Sequence, residues 1–509
     1  MPIASEDRGK GWERAWALVL TFLALASPAL AQSVLTYHGR ADRSGTYTMP
    51  ALSWEQARSL RLDAEFTGRF EGHFYAQPLY WRPPGAAAGL LIVASESNVV
   101  TAIDAANGNT AWTRTLGRPA PLSTFACGNI DPLGITGTPV IDEANGALYL
   151  DAMIADPAGP RHRIFALSLK DGAALPGWPV DVADALRAQG PAFDSRVQNQ
   201  RGALLLLNGT LFVPYGGFFG DCGDYHGWVV GVSLADPQRV SAWRTRGRGA
   251  GIWAPGGIAS DGQALYVATG NTLGARDWAD GEAVFRLNPD LRHSERSKDF
   301  FAAADWRALD SRDADLGGTN PLPLDLPGGQ PVVLALGKDE RAYLLDRYNL
   351  GGFGGSLVAD RVATYPIRTA PAAYPGANAM FVAFQGAGAH CPAGQRSDLT
   401  ALKIAAGAAH MVETAWCGAV SGAGAPIVTT TDGASNPIVW MLGAEGDNRL
   451  HGFRGDTGER LFTGPPLAGL RHFQTLIAAD DRLFVGADGR LYAFAYRRAD
   501  KRRAIRRRA

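Results

Sequence analysis

The sequence predicts an all-β chain folded as an eight-bladed β-propeller with four-stranded blades. Three observations predict it. One unit recurs eight times along the chain: a short apolar strand, a turn, a second strand, then Asp and Gly, and often Trp. Gly is frequent at 62 residues, with 31 Pro and 13 Trp among 509, a composition of many short strands joined by turns rather than of a helix bundle. The loops between units vary in length, which suits a ring of blades better than a regular solenoid. At 46% apolar residues and 19% charged, the chain can build a large core and is not of disordered composition.

The N-terminus comes first. Arg8, Lys10 and Arg14 precede the apolar run 15–26 and the small residues Ala29 and Ala31. That order of parts predicts a secretory signal peptide over residues 1–31, cleaved after Ala31, and a secreted or periplasmic mature protein. The run is too short to span a bilayer, and no other long apolar run follows.

The clearest repeat runs from Leu90 to Trp112, LLIVASESNVVTAIDAANGNTAW. Further copies start near Ala147, Thr210, Ala264, Val332, Met380, Ile438 and Arg482. Each supplies two strands of alternating pattern around a turn, such as Asn107-Gly108 or Asp456-Thr457-Gly458. A single hairpin cannot bury its own face; radial stacking of sheets buries both faces and shields the edges. The last unit, 482–496, is short, so a strand from 59–80 is expected to complete it and close the ring. The propeller is thus expected over residues 32–496. Trp112, Trp243 and Trp416 read as docking residues of the core.

Export gives the cysteines meaning. Four Cys allow three pairings. Cys391 and Cys417 fall within one repeat-sized segment, which favours that pair and leaves Cys127 with Cys222.

Net charge is zero, but unevenly laid out. Residues 497–509 hold eight basic side chains against Asp500, a net +7, which leaves −7 for residues 1–496. This basic tail is expected to project as a disordered arm that could touch anionic surfaces. The balance gives no case for nucleic acid. H-E-x-x-H, G-x-S-x-G, P-loop and dinucleotide-binding fingerprints are all missing, so hydrolase, zinc-protease and nucleotide-enzyme readings lack support.

The segment Ala102-Ile103-Asp104-Ala105-Ala106-Asn107-Gly108, with Trp112 beyond it, resembles the tryptophan-docking repeat of pyrroloquinoline quinone (PQQ) dehydrogenases. Stretches such as YAQPLY (75–80), CGNIDPLGITGTPVID (127–142), GIWAPGG (251–257) and DADLGG (313–318) resemble secreted PQQ-like repeat proteins of bacteria. The resemblance implies a propeller of the quinoprotein dehydrogenase type. It also implies a funnel where PQQ lies over calcium, a hard cation that takes oxygen ligands. Thr269-Gly270-Asn271 resembles the family's calcium-binding T-G-N motif. Asp313 or Asp315 matches the region of the family's base. Asp305 and Asp310 lie in the same region. Lys338, beside Asp339, follows the strand VVLALG and could bind an anion or a quinone carboxylate, or stand in a solvated turn.

Other positions depart. Cys222 falls near the family's calcium-binding Glu, and His226 replaces an Arg. Asp221 or Asp224 could supply an oxygen instead. The vicinal Cys-Cys pair is absent, and the chain has no C-x-x-C-H haem site. Tyr225, His226 and Trp228 could line a pocket, or pack a loop stapled by Cys222. Asn271 and the two aspartates are equally good turn formers. His73, Tyr75 and Gln77 suit a structural strand edge. Two functions stay open: a propeller that binds a small-molecule or carbohydrate ligand, or a partner, through its funnel and loops without intact PQQ-calcium catalysis, and a PQQ-dependent dehydrogenase of alcohols or sugars. A lipid-anchored outer-membrane assembly scaffold shares the fold, but there is no Cys for the anchor.

Overall fold

The computed structural model describes residues 33–496, apart from 87, 188, 189, 191, 397 and 408–410. The expected signal peptide and basic tail lie outside the described residues. Eight sheets follow one another, each an antiparallel meander built from consecutive segments: 79–115, 140–181, 205–244, 259–302, 322–361, 372–418, 427–463 and 476–495. The first strands of neighbouring blades contact each other, so they line the axis of a ring. The chain is therefore an eight-bladed propeller, as its repeats predict.

Each repeat recognised in the sequence is the second and third strand of one blade. These strands were expected to alternate, yet Leu265–Thr269 and Ile438–Leu442 are buried at every position. The reason is packing on both faces, one against each neighbouring blade, which favours continuous apolar runs. The hydrophobic core consists of such interfaces. One cluster joins Tyr149 and Ile164 of blade 2 to Val213 and Val230 of blade 3; another joins Leu334 and Leu344 of blade 5 to Val382 and Leu402 of blade 6.

The docking tryptophans join blades too. Trp416 is fully buried. Its indole N–H donates to Gly455 O at 2.7 Å, and its ring lies where a Cβ on Gly458 would fall, 2.7 Å away. Trp112 of blade 1 donates to Leu169 O of blade 2 at 3.0 Å and packs on Gly172. It is half-buried rather than core, because its strand, Thr110–Thr115, is the exposed outer edge. Trp243 instead packs against Phe285 of the next blade, ring centres 4.9 Å apart.

The ring closes as expected. Arg61–Leu62 pairs antiparallel with Ala495 and Phe494 as the fourth strand of the last blade. The segment before it does something the sequence did not announce. Leu35 O accepts from Ile141 N, Ala41 O from Ser260 N and Ser44 O from Ala373 N. Thr46–Thr48 then adds a parallel strand to Ile427–Thr430. Residues 34–48 thus cross the inner edges of blades 1, 2, 4, 6 and 7. Arg43 at their centre is fully buried and donates to Ile258 O, Leu204 O, Tyr37 O and Thr36 Oγ1 at 2.6–3.1 Å. It has backbone partners in place of a carboxylate. Both expected disulfides are present, Cys127–Cys222 and Cys391–Cys417. Among the described residues no helix is long and apolar enough to cross a membrane.

Candidate functional site

A cavity of about 780 Å³ opens at one end of the axis. Two kinds of loop line it: those that enter the first strand of a blade and those that leave the second. Antiparallel neighbours place both at the same end. Asn271 follows the second strand of blade 4, and Lys338 that of blade 5. Asp313 and Asp315 lie on the way into blade 5. All four line the cavity, with Tyr225.

Their geometry is specific. Lys338 Nζ lies 2.7 Å from Asp313 Oδ1 and 2.6 Å from Asp315 Oδ2. The ammonium also lies 5.2 Å from the centre of the Trp253 ring, a cation–π contact. The other Asp315 oxygen accepts the Asn271 backbone N–H at 2.9 Å. Asp315 is buried, and burial pushes its carboxyl up against the opposing pull of Lys338. Glu282 lies fully buried nearby, with Oε2 accepting Leu316 N–H at 2.7 Å and Oε1 unpartnered. Burial, then the Asp315 charge, holds Glu282 well above the usual carboxylate range. Asp310 accepts from Thr272 N and, at 2.7 Å, from both Thr272 Oγ1 and Gly274 N. It fixes the turn beyond Asn271.

Tyr225 is buried, and its hydroxyl donates to Asp221 Oδ1 at 2.6 Å. Burial and that carboxylate raise its pKa. Two expected residues are not brought to the cavity. His226 is buried in the strand entry, with Nδ1 3.1 Å from Thr245 O. Burial, then Arg244, lowers its pKa. The Asp224 side chain is 81% exposed and lies 3.8 Å from His226 Nε2. Neither residue lines the cavity. Trp228 packs in the blade 2–3 core. Asp339 takes the Tyr343 hydroxyl at 2.5 Å, and Asp305 pairs with Arg341 at 3.1 Å.

The early cluster splits. Gln77 is buried and accepts His38 N–H, which ties the N-terminal segment to blade 1. His73 Nδ1 meets Asp488 at 2.9 Å, and Tyr75 receives Arg471 Nη1 at 3.1 Å.

Several lining residues were not singled out from the sequence: Arg201, Phe219, Trp253, Tyr365, Arg368 and Glu445. A signal existed for two of them. Arg201 and Arg368 each stand four residues ahead of the first strand of a blade, Leu205–Leu207 and Ala372–Pro375. The loop entering a blade at that distance reaches the axis.

The fold is that of quinoprotein dehydrogenases. The quinohemoprotein alcohol dehydrogenase of Pseudomonas putida superposes with a TM-score of 0.64 at 14% identity, over 91% of this chain and 80% of that one. The quinohemoprotein alcohol dehydrogenase of Comamonas testosteroni gives 0.63 at 15%, over 92% and 81%. A europium-containing methanol dehydrogenase gives 0.59 at 14%, over 91% and 98%. No protein-family model matches the sequence, and no curated protein does either.

Proposed function

We propose that this protein is a ligand-binding propeller whose axial cavity takes a small polar molecule without calcium-held quinone chemistry at Asn271, Asp313 and Asp315. The observation that carries the reading is the Lys338 ammonium, within 2.7 Å of both carboxylates. Calcium takes six to eight oxygen ligands. Here one Asp315 oxygen is committed to the Asn271 N–H and the other to the ammonium. Asp224, a further oxygen expected from the sequence, lies outside the cavity lining. Among the described residues no group of three or more His, Cys, Asp or Glu could hold a metal ion. These commitments support a site that holds its own cation, the Lys338 ammonium, in place of calcium.

A second reading, PQQ-dependent oxidation of an alcohol or sugar, is favoured by one observation. Trp253, Lys338 and the buried carboxyl of Asp315 share the cavity of a fold that the similar dehydrogenases also have. Fold alone does not transfer activity. Adding PQQ and calcium to the purified protein separates the readings. The binding reading expects no PQQ- and calcium-dependent dye reduction with alcohols or sugars, and saturable binding of a small molecule that protects against thermal unfolding. Dye reduction that requires both additions would overturn it.

We also infer a secreted or periplasmic location. The two disulfides support it, since such bonds persist in oxidising compartments.

A further inference from the structure

The charges lining the cavity are unevenly satisfied. All four lining carboxylates have partners: Asp313 and Asp315 hold Lys338, Asp221 takes the Tyr225 hydroxyl, and Glu445 takes His472 Nδ1 at 2.9 Å. Two of the three lining Lys and Arg side chains have no such partner. Arg201 has its guanidinium carbon 5.1 Å from the Phe473 ring and 5.7 Å from the Tyr75 ring. Arg368 lies 5.8 Å from the Tyr365 ring. Among the described residues, aromatic faces are the contacts recorded for either guanidinium, with no hydrogen bond or ion pair. A guanidinium carries five donors and recognises planar carboxylates in a two-point fork. Half-buried and without a hydrogen-bonded anion, it bears a desolvation cost that a bound carboxylate removes. Burial lowers the Arg201 pKa, consistent with that cost.

The remaining surface is not that of a bare anion site. Phe219 is 73% exposed and Tyr365 57% exposed, and both line the cavity beside Trp253. Exposed aromatic faces of this size suit an amphipathic ring. Asn129, Gln385 and the second carboxylate oxygen of Asp313 offer hydrogen bonds to hydroxyl groups. Carboxylate, ring face and hydroxyls together describe one class of molecule. We propose that the ligand is a sugar acid, with its carboxylate bound by Arg201 or Arg368 and its ring against the aromatic side chains. This rests on the ligand-binding reading of the same cavity.

Isothermal titration of the full chain tests it with glucuronate and galacturonate, their short oligomers, glucose, galactose and PQQ. The acid sugars should bind and the neutral sugars should bind at least roughly tenfold more weakly, the scale of one charged hydrogen-bonded contact. Arg201→Gln or Arg368→Gln should reduce acid-sugar affinity by roughly tenfold or more while melting near the wild-type temperature. Arg201→Lys and Arg368→Lys should recover part of it, since charge returns without the fork. Equal binding of acid and neutral sugars would overturn the sugar-acid assignment and leave ligand binding standing. Binding of PQQ alone would do the same. Loss of all binding, with every probe, would overturn both.

Discussion

Lys338 and Asp315 form the tightest charged contact of the cavity, 2.6 Å between ammonium and carboxylate, with both side chains largely buried. Asp313 completes the bridge from the exposed side. Removing the cation strands a buried carboxyl. Lys338→Met should therefore destabilise the fold by about 3 kcal/mol at neutral pH, the scale for breaking a buried pair from one side. Lys338→Met with Asp315→Asn should recover at least half of that loss. Denaturant unfolding of the single and double variants reads both numbers. A neutral Lys338→Met would show that the pair contributes nothing.

Glu96 predicts a pH dependence. It is fully buried, takes the Gly134 N–H at 2.7 Å, and burial pushes its pKa up to about 7 against Arg201 and Arg471. The folded state keeps this proton while the unfolded chain releases it near the usual value of about 4.3. The resulting stability is complete below the unfolded pKa and is lost as pH rises to about 7. Its full size is about 4 kcal/mol. Glu96→Gln, which can still accept from Gly134, should flatten that slope. Urea titrations between pH 4 and 8 check it; parallel slopes would mean that Glu96 titrates alike in the folded and unfolded chain.

The Cys127–Cys222 bridge spans 95 residues and staples the loop that carries Phe219, Asp221 and Tyr225. Chain-entropy reasoning gives about 5 kcal/mol for a loop of that length. The double variant Cys127→Ser, Cys222→Ser should lose stability on that scale. It should also bind cavity ligands more weakly, because three lining residues lose their anchor. Cys391→Ser with Cys417→Ser opens a shorter loop, 26 residues, away from the cavity lining. It should cost less and spare binding. Thermal melts and titrations on both variants separate the two effects.

Trp416 and Gly458 form an interlocked pair. Trp416→Ala should cost about 3–5 kcal/mol, the usual penalty for a buried aromatic. Gly458→Ala should cost about 1–3 kcal/mol. Its φ is +73°, and the added Cβ would meet the Trp416 ring at 2.7 Å. The two losses should not add, since each removes the same contact. Full additivity in denaturant unfolding would break the docking account.

The ring was legible in the amino-acid sequence. Eight copies of one unit, the tryptophan and glycine at matched offsets, the missing last strand and both disulfide pairs were all legible, because burial between neighbouring blades imposes the same local pattern each time. The convergence of Asn271, Asp313, Asp315 and Lys338 followed from family resemblance and from loop position. Tertiary structure alone decided the rest. Asp224 and His226 flank Tyr225 at the cavity edge, one residue away on either side, yet neither side chain joins the lining. Trp253, Arg201 and Arg368 sit in separate blade-entry loops, and they meet only because closing the ring brings every such loop to one axis. The segment 34–48 shows no repeat pattern, because its partners are backbone groups of strands far along the chain. Local periodicity reports what packs against the next blade; it carries no record of what meets across the ring.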